Sequence, residues 1–198
     1  MAKVFSGYTA KTAENLLLDA GAFFVNFNVG TDTFDTAVLA GKLLGATRGG
    51  GEFEATPEMR PIEVDGVKGV AKGLQVIDSW EVKLVANVLE ITKEGLQRAL
   101  TSSEVDTTTD PKYDIIKAKN DIELTDYIDN ITYVGKKTGA TDPVIIQVYN
   151  ALNTSGLKLQ TQDKGEAVIA MEFVGHYDVE DLDSPPFAIF YPKTVVTP

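Results

Sequence analysis

Residues 74–100 read LQVIDSWEVKLVANVLEITKEGLQRAL, and within them the hydrophobic period changes once. From Ser79 the chain alternates, with Trp80, Val82, Leu84, Ala86 and Val88 on one face and Ser79, Glu81, Lys83 and Asn87 on the other. A period of two describes a strand with one buried and one wet face. At Thr92 the spacing becomes helical. Thr92 has the side chain of an N-cap, Glu94 lies in the first turn where the helix dipole favours an acid, and Leu96, Ala99 and Leu100 share a face. Ile91 and Leu96 are spaced for a hydrophobic staple. The stretch predicts a long strand running into a short helix that lies on the same sheet, with the rest of the chain packed around it.

Upstream, residues 1–11 read as an arm. Thr12 caps a predicted helix with Ala13, Leu16, Leu17 and Ala20 as its stripe and Gly21 as its stop. Phe23, Val25, Phe27 and Val29 alternate as a strand. Phe34, Val38 and Leu39 sketch a weak helical face that nearby threonines and glycines keep short. The run Arg48, Gly49, Gly50, Gly51 is the most flexible point, a turn or a place of close backbone approach. After it, Glu52, Glu54, Thr56, Glu58 and Arg60 alternate with Phe53, Ala55 and Met59. Pro57 and Pro61 place this segment at a sheet edge or in an extended arm, about residues 45–66. Asp65-Gly66 is a hairpin turn signal.

Downstream, residues 101–110 read as a loop, 113–118 as a short strand and 128–134 as a longer one. Val144, Ile146 and Val148 alternate, and a hairpin is expected around Lys164-Gly165, with Ala167, Ile169, Met171 and Phe173 on one face. An acidic loop, 178–183, leads to Pro185-Pro186 and a closing apolar arm, about 185–198, that contains Phe187, Phe190 and Tyr191. A single domain over residues 1–198 is expected.

Composition narrows the function. With 29 acids against 18 bases the formal net charge is -11, which argues against binding nucleic acid by neutralising phosphates. No cysteine is present, so disulfides and thiolate metal sites are excluded. His176, the one histidine, has no nucleophile motif near it, and a catalytic site needs several converging groups. Asp178, Glu180, Asp181 and Asp183 lack the spacing of a calcium loop, and no Gly-Lys-Ser/Thr follows the glycine run. The expectation is therefore a non-enzyme without metal or cofactor. The N-terminus lacks an apolar signal segment and no run approaches a membrane span, which leads us to expect a soluble protein made in the cytosol.

The succession TAENLLLDAGAFFVNF, LLGATRGGGEFEATPEMRPIEVDGVKG, EVKLVANVLEITKEGLQRAL, GEAVIAMEFVGHYD and FAIFYP resembles the major tail (tail tube) proteins of long-tailed bacteriophages in its order and spacing, over most of the chain. The resemblance implies a mainly β subunit, a sandwich or barrel-like fold with one flanking helix. Such subunits form hexameric rings, each closed as a ring-shaped β-barrel, and the rings stack into a hollow tube through which DNA leaves the virion. It further implies a place in the phage tail after synthesis in the host cytoplasm. The implied partners are other copies of the chain and the tape measure, tail terminator and distal tail proteins, with DNA passing through without specific binding and no membrane involved. Tubes of contractile tails, type VI secretion and phage-tail-like bacteriocins are related, so a bacteriocin tube subunit is a near alternative.

Ring closure fits the residues, because open sheets expose unpaired edges that invite association. Arg48, Gly49, Gly50, Gly51, Phe53, Phe187, Phe190 and Tyr191 are the candidates for contacts between subunits. Glu52, Glu54, Glu58, Arg60, Glu81 and Lys83 are the candidates for the wall of the lumen, where an acidic surface would keep DNA from sticking. The competing classes are a monomeric β-sandwich binding module, carbohydrate-binding or adhesin-like, and a hydrolase built on the abundant carboxylates. Trp80 lies on the apolar face of its strand, which argues against its use as a binding-module platform.

Overall fold

A computed structural model describes residues 7–9 and 11–193. A single 3-10 turn at Thr12–Asn15 is followed by β1 (Leu17–Val25), α1 (Phe34–Leu39), β2 (Thr47–Pro61) and β3 (Gln75–Val88). Next come α2 (Lys93–Ala99), β4 (Ser103–Asp106) and β5 (Ile115–Ala118). β6 (Ile128–Lys137), β7 (Val144–Asn153), β8 (Leu159–Gln162), β9 (Gly165–Val174) and β10 (Phe187–Phe190) follow. The fold is mainly antiparallel β with short helices.

One eight-stranded sheet carries the molecule, in the order β1-β6-β7-β9-β3-β2, with β10 beside β7 and β8 beside β9. β4 and β5 form a separate ribbon. The period-two face of β3 is buried as its sequence dictates, Val82, Leu84, Ala86 and Val88 each being at most 1% exposed. Opposite them in register stand Ala55 and Phe53 of β2 and Phe173, Met171 and Ile169 of β9. Phe23 and Val25 of β1, Ile131 of β6 and Val148 and Ala151 of β7 join the same buried cluster. The sheet therefore folds back over its own apolar face, and its two end strands, β1 and β2, meet without pairing. The sheet is not closed.

Thr92 caps α2 as expected, accepting from the Gly95 N–H at 2.9 Å, and Leu96 and Ala99 pack on the core. Ile91 remains exposed, so burial of the helix rather than a staple sets its angle. A second buried cluster, Phe24, Phe27 and Ala37, lies on the other side of β1 beneath α1.

Several expectations need correction. Residues 12–21 do not form a helix beyond the single 3-10 turn. From Leu17 the backbone pairs with β6, bulging between Leu18 and Ala22 where Asp19 and Gly21 have positive φ. Isolated helices this short gain little, and a strand partner outweighs their local preference. The 101–110 stretch contains strand β4 rather than loop throughout. The RGGG run is no turn, but it does make the close backbone approach that its glycines allow. It lies in β2, where Gly49 and Gly50 have positive φ in a bulge and Gly51 allows a close approach: a Cβ there would sit 2.1 Å from the Val85 carbonyl oxygen and 2.5 Å from the Phe23 ring. The closing apolar segment is strand β10, paired along β7 from Phe187↔Val148 to Phe190↔Ile145, rather than a free arm. Residues 1–6 and 10 of the N-terminal arm and 194–198 of the C-terminal arm lie outside the described residues.

Candidate assembly surfaces

The two charged faces read separately from the sequence are one surface. Register places Glu54 opposite Lys83, Thr56 opposite Glu81 and Glu58 opposite Ser79, and directly opposed residues share a face. Glu52 and Arg60 extend the same row at its two ends. The surface continues onto β9, where Glu172 stands opposite Val85 and Ala170 opposite Asn87. All six residues proposed for a tube wall are thus brought together, and the side chains of Glu52, Glu54, Glu58, Arg60 and Glu81 are exposed.

Local pairing leaves this surface acidic. Lys83 Nζ lies 2.6 Å from Glu81 Oε1, and that hydrogen bond raises the lysine pKa, helped by the nearby charges of Glu172 and Glu54. Arg60 binds Asp78 through two bonds of 3.0 and 3.1 Å, an arrangement that raises its pKa and uses its charge within the ribbon. Ser79 donates to Glu58 at 2.9 Å. Among the described residues no cation is bonded to Glu52, Glu54, Glu58 or Glu172.

The residues proposed for contacts between subunits separate into three places. Arg48 stands exposed and pairs with Glu166 of β9 at 2.9 Å, while Gly49 and Gly50 lie in the bulge and Gly51 resumes the ladder opposite Ala86. Phe53 and Phe187 are used inside the subunit, their rings 5.8 Å apart with Trp80 5.5 Å from Phe187. Phe190 and Tyr191 reach the surface, and Lys137 Nζ lies 5.5 Å from the Tyr191 ring centre.

A further exposed apolar feature lies on the β2–β3 ribbon. Beyond Glu58 and Ser79 the β2–β3 ribbon leaves the body, and Met59, Ile62, Val64, Val67, Val70 and Ile77 stand exposed along it and at its tip. The signal was present as four apolar residues in the IEVDGVKGV stretch, within what reads as turn and glycine. Apolar patches of this kind mark interaction sites. Asp65-Gly66 turns within the tip, where the Val67 N–H bonds the Val64 carbonyl at 3.1 Å.

On the far side of the sheet two adjoining grooves of about 430 and 470 Å³ share Phe34, Val134, Asp142 and Pro143. Phe34 is exposed at the N-terminus of α1, which Thr33 caps. Asp32 fixes the loop before it, bonding Lys42 Nζ at 2.6 Å and the Asn28 N–H at 2.8 Å.

His176 sits against the Asn150 carbonyl, Nδ1 at 3.0 Å, and edge-on to Tyr127 with ring centres 5.1 Å apart. The 178–183 loop is tied to itself, with the Glu180 N–H on Asp178 Oδ1 at 2.9 Å. Among the described residues no group of three or more His, Asp or Glu side chains is arranged to hold a metal ion. No helix among them is long and apolar enough to cross a membrane. The fold and surface define a β-sheet protein with one acidic sheet face and a projecting apolar hairpin. Neither models of protein families nor curated proteins give a match to the chain.

Proposed function

We propose that the protein is a structural subunit of a tail-type tube, forming rings that stack into a conduit for DNA. The observation that carries this reading is the β8-β9-β3-β2 half of the sheet. It presents an acid-rich wet face, buries its other face in the core, and among the described residues has an unpaired outer edge at both β2 and β8. A head-to-tail contact joining the β2 edge of one copy to the β8 edge of the next closes into a ring and removes both edges. Six four-stranded halves, with strands about 4.8 Å apart, give a wall of radius about 18 Å before tilt, and tilt widens it. The wet face then lines the passage, where its carboxylates repel phosphate at close range. The projecting hairpin supplies the contact from ring to ring.

In this role the protein works with further copies of itself and with the proteins that measure, cap and initiate a tail, and it resides in the virion. A bacteriocin tube would use the same surfaces. The grooves beside Phe34 favour a second reading, a monomeric binding module. Sedimentation over rising concentration together with negative-stain microscopy separates the two: rings or tubes are expected, and a monomer at every concentration overturns the tube.

A further inference from the structure

Strand registers inside one subunit fix how two copies can meet edge to edge. β8, β9, β3 and β2 alternate in direction, so β2 and β8 run opposite ways and their outer edges join as an antiparallel pair. The free backbone groups of the two edges are also in phase. The Gly175 N–H bonds the Val82 carbonyl and the Thr154 N–H bonds the Glu172 carbonyl, so odd-numbered residues of β9 face β3 and even-numbered ones face away. Ile169 therefore turns its backbone to β3, and Leu159, opposite it, turns its N–H and C=O to the free edge. On β3 the even-numbered residues face β9, which leaves Lys83 to pair with Glu54 and turns the backbone of Phe53 outward.

Closing a sheet into a barrel adds a stagger along the strands. Straight across one subunit, Leu159 lies level with Ile169, Val88 and Thr47. Four strands about 4.8 Å apart and tilted by about 35–45° step about 13–19 Å per copy, roughly 4.0 to 5.6 residues of about 3.4 Å each. Only an even step sets wet side chains beside wet ones, which leaves a step of about four. Counting that step along β3 from Val88 leads to Leu84, and Leu84 stands opposite Phe53. The opposite step carries β8 past the end of β2 at Thr47, where it has no strand to join.

We propose that Phe53 of one copy stands opposite Leu159 of the next, which sets Ala55 opposite Leu157, Glu54 opposite Lys158 and Glu52 opposite Gln160. The register rests on the ring proposed above and fixes its junction. Both faces match. Leu157 and Leu159 are 39% and 45% exposed in the single subunit, and the half-buried Phe53 and Ala55 of the neighbour cover them. On the wet side, Lys158 and Gln160 line one shallow hollow with Val168 and Ala170, and they meet the exposed carboxylates of Glu54 and Glu52. Phe53 and Leu159 exchange two backbone bonds, so Glu54 and Lys158 form the closer kind of antiparallel pair, where side chains approach most nearly. An exposed ion pair adds little strength, so the backbone bonds and the leucines hold the junction.

The chain has no cysteine, so paired substitutions report this register through disulfide formation. Glu54→Cys with Lys158→Cys in one chain places the two Cα atoms about 4.5 Å apart across the junction, within disulfide reach. Mild oxidation is expected to link copies into a ladder on a non-reducing gel. Glu52→Cys with Lys158→Cys, and Thr56→Cys with Lys158→Cys, are each slipped by two residues and lie about 8 Å apart, beyond that reach. They should link about tenfold more slowly or not at all. Each variant is also imaged by negative stain. Rings in which a slipped pair links as fast as the matched pair, or in which no pair links, overturn the register and leave the ring standing. Monomers that link in none of the three variants overturn the register and the ring together.

Discussion

Gly51 shows how much a single absent side chain decides. The end strands of the sheet touch there, and a methyl group would have to displace both the Val85 carbonyl and the Phe23 ring. Gly51→Ala is expected to cost about 1–3 kcal/mol, the usual range for overpacking, measured by urea unfolding. Stability within a few tenths of a kcal/mol of wild type would mean that the Val85 carbonyl and the Phe23 ring both give way freely. Asp32 acts through charge instead. Its hydrogen bond from Lys42, then that from the Asn28 N–H, hold its pKa below the ordinary aspartate range. A depressed carboxylate contributes stability that is present above its unfolded value, near 4, and is lost as pH falls through the lower folded value. Asp32→Asn should therefore be less stable than wild type at neutral pH and lose less on acidification. Parallel pH profiles for the two proteins would remove Asp32 from that role.

At the level of elements, β2 decides what can join the sheet. The Trp80 N–H bonds the Tyr177 hydroxyl at 2.8 Å on the β9 side, so the opposed Pro57 turns its ring nitrogen to the free edge, where no donor is missed. The alternation of an antiparallel ladder then turns the Ala55 N–H outward too. Ala55→Pro removes an edge donor that the subunit itself does not use. The expected result is a folded monomer that fails to form rings, read by circular dichroism and sedimentation. Rings at wild-type concentration would show that subunits do not pair through this edge. β10 is the opposite case, since Phe187 fills the subunit's own core between Phe53 and Trp80 and its loss damages folding before assembly.

For the whole molecule, the decisive property is which way the acidic face points. Glu54 and Glu81 both lie on it, flanking Lys83. In a tube lined by this face, Glu54→Lys with Glu81→Lys would leave rings intact and introduce phosphate-binding charge along the passage. DNA delivery should slow or stop while tubes in micrographs look unchanged, and added salt should partly restore it because screening weakens the new attraction. Delivery at the wild-type rate places the face on the outside.

Much of this is legible in the sequence alone. The two faces of β3, the Thr92 cap, the β8–β9 hairpin and the wet row from Glu52 to Arg60 follow from periodicity and capping chemistry, which act over a few residues. What the sequence could not settle depends on partners distant in the chain. Leu17 and Leu18 became strand because β6 offered a ladder, RGGG became a bulge because Phe23 and β3 lie against it, and FAIFYP became β10 because β7 had an open edge. Local pattern sets which face of an element is apolar; only the folded sheet decides which apolar faces find each other and which polar atoms are left without a partner.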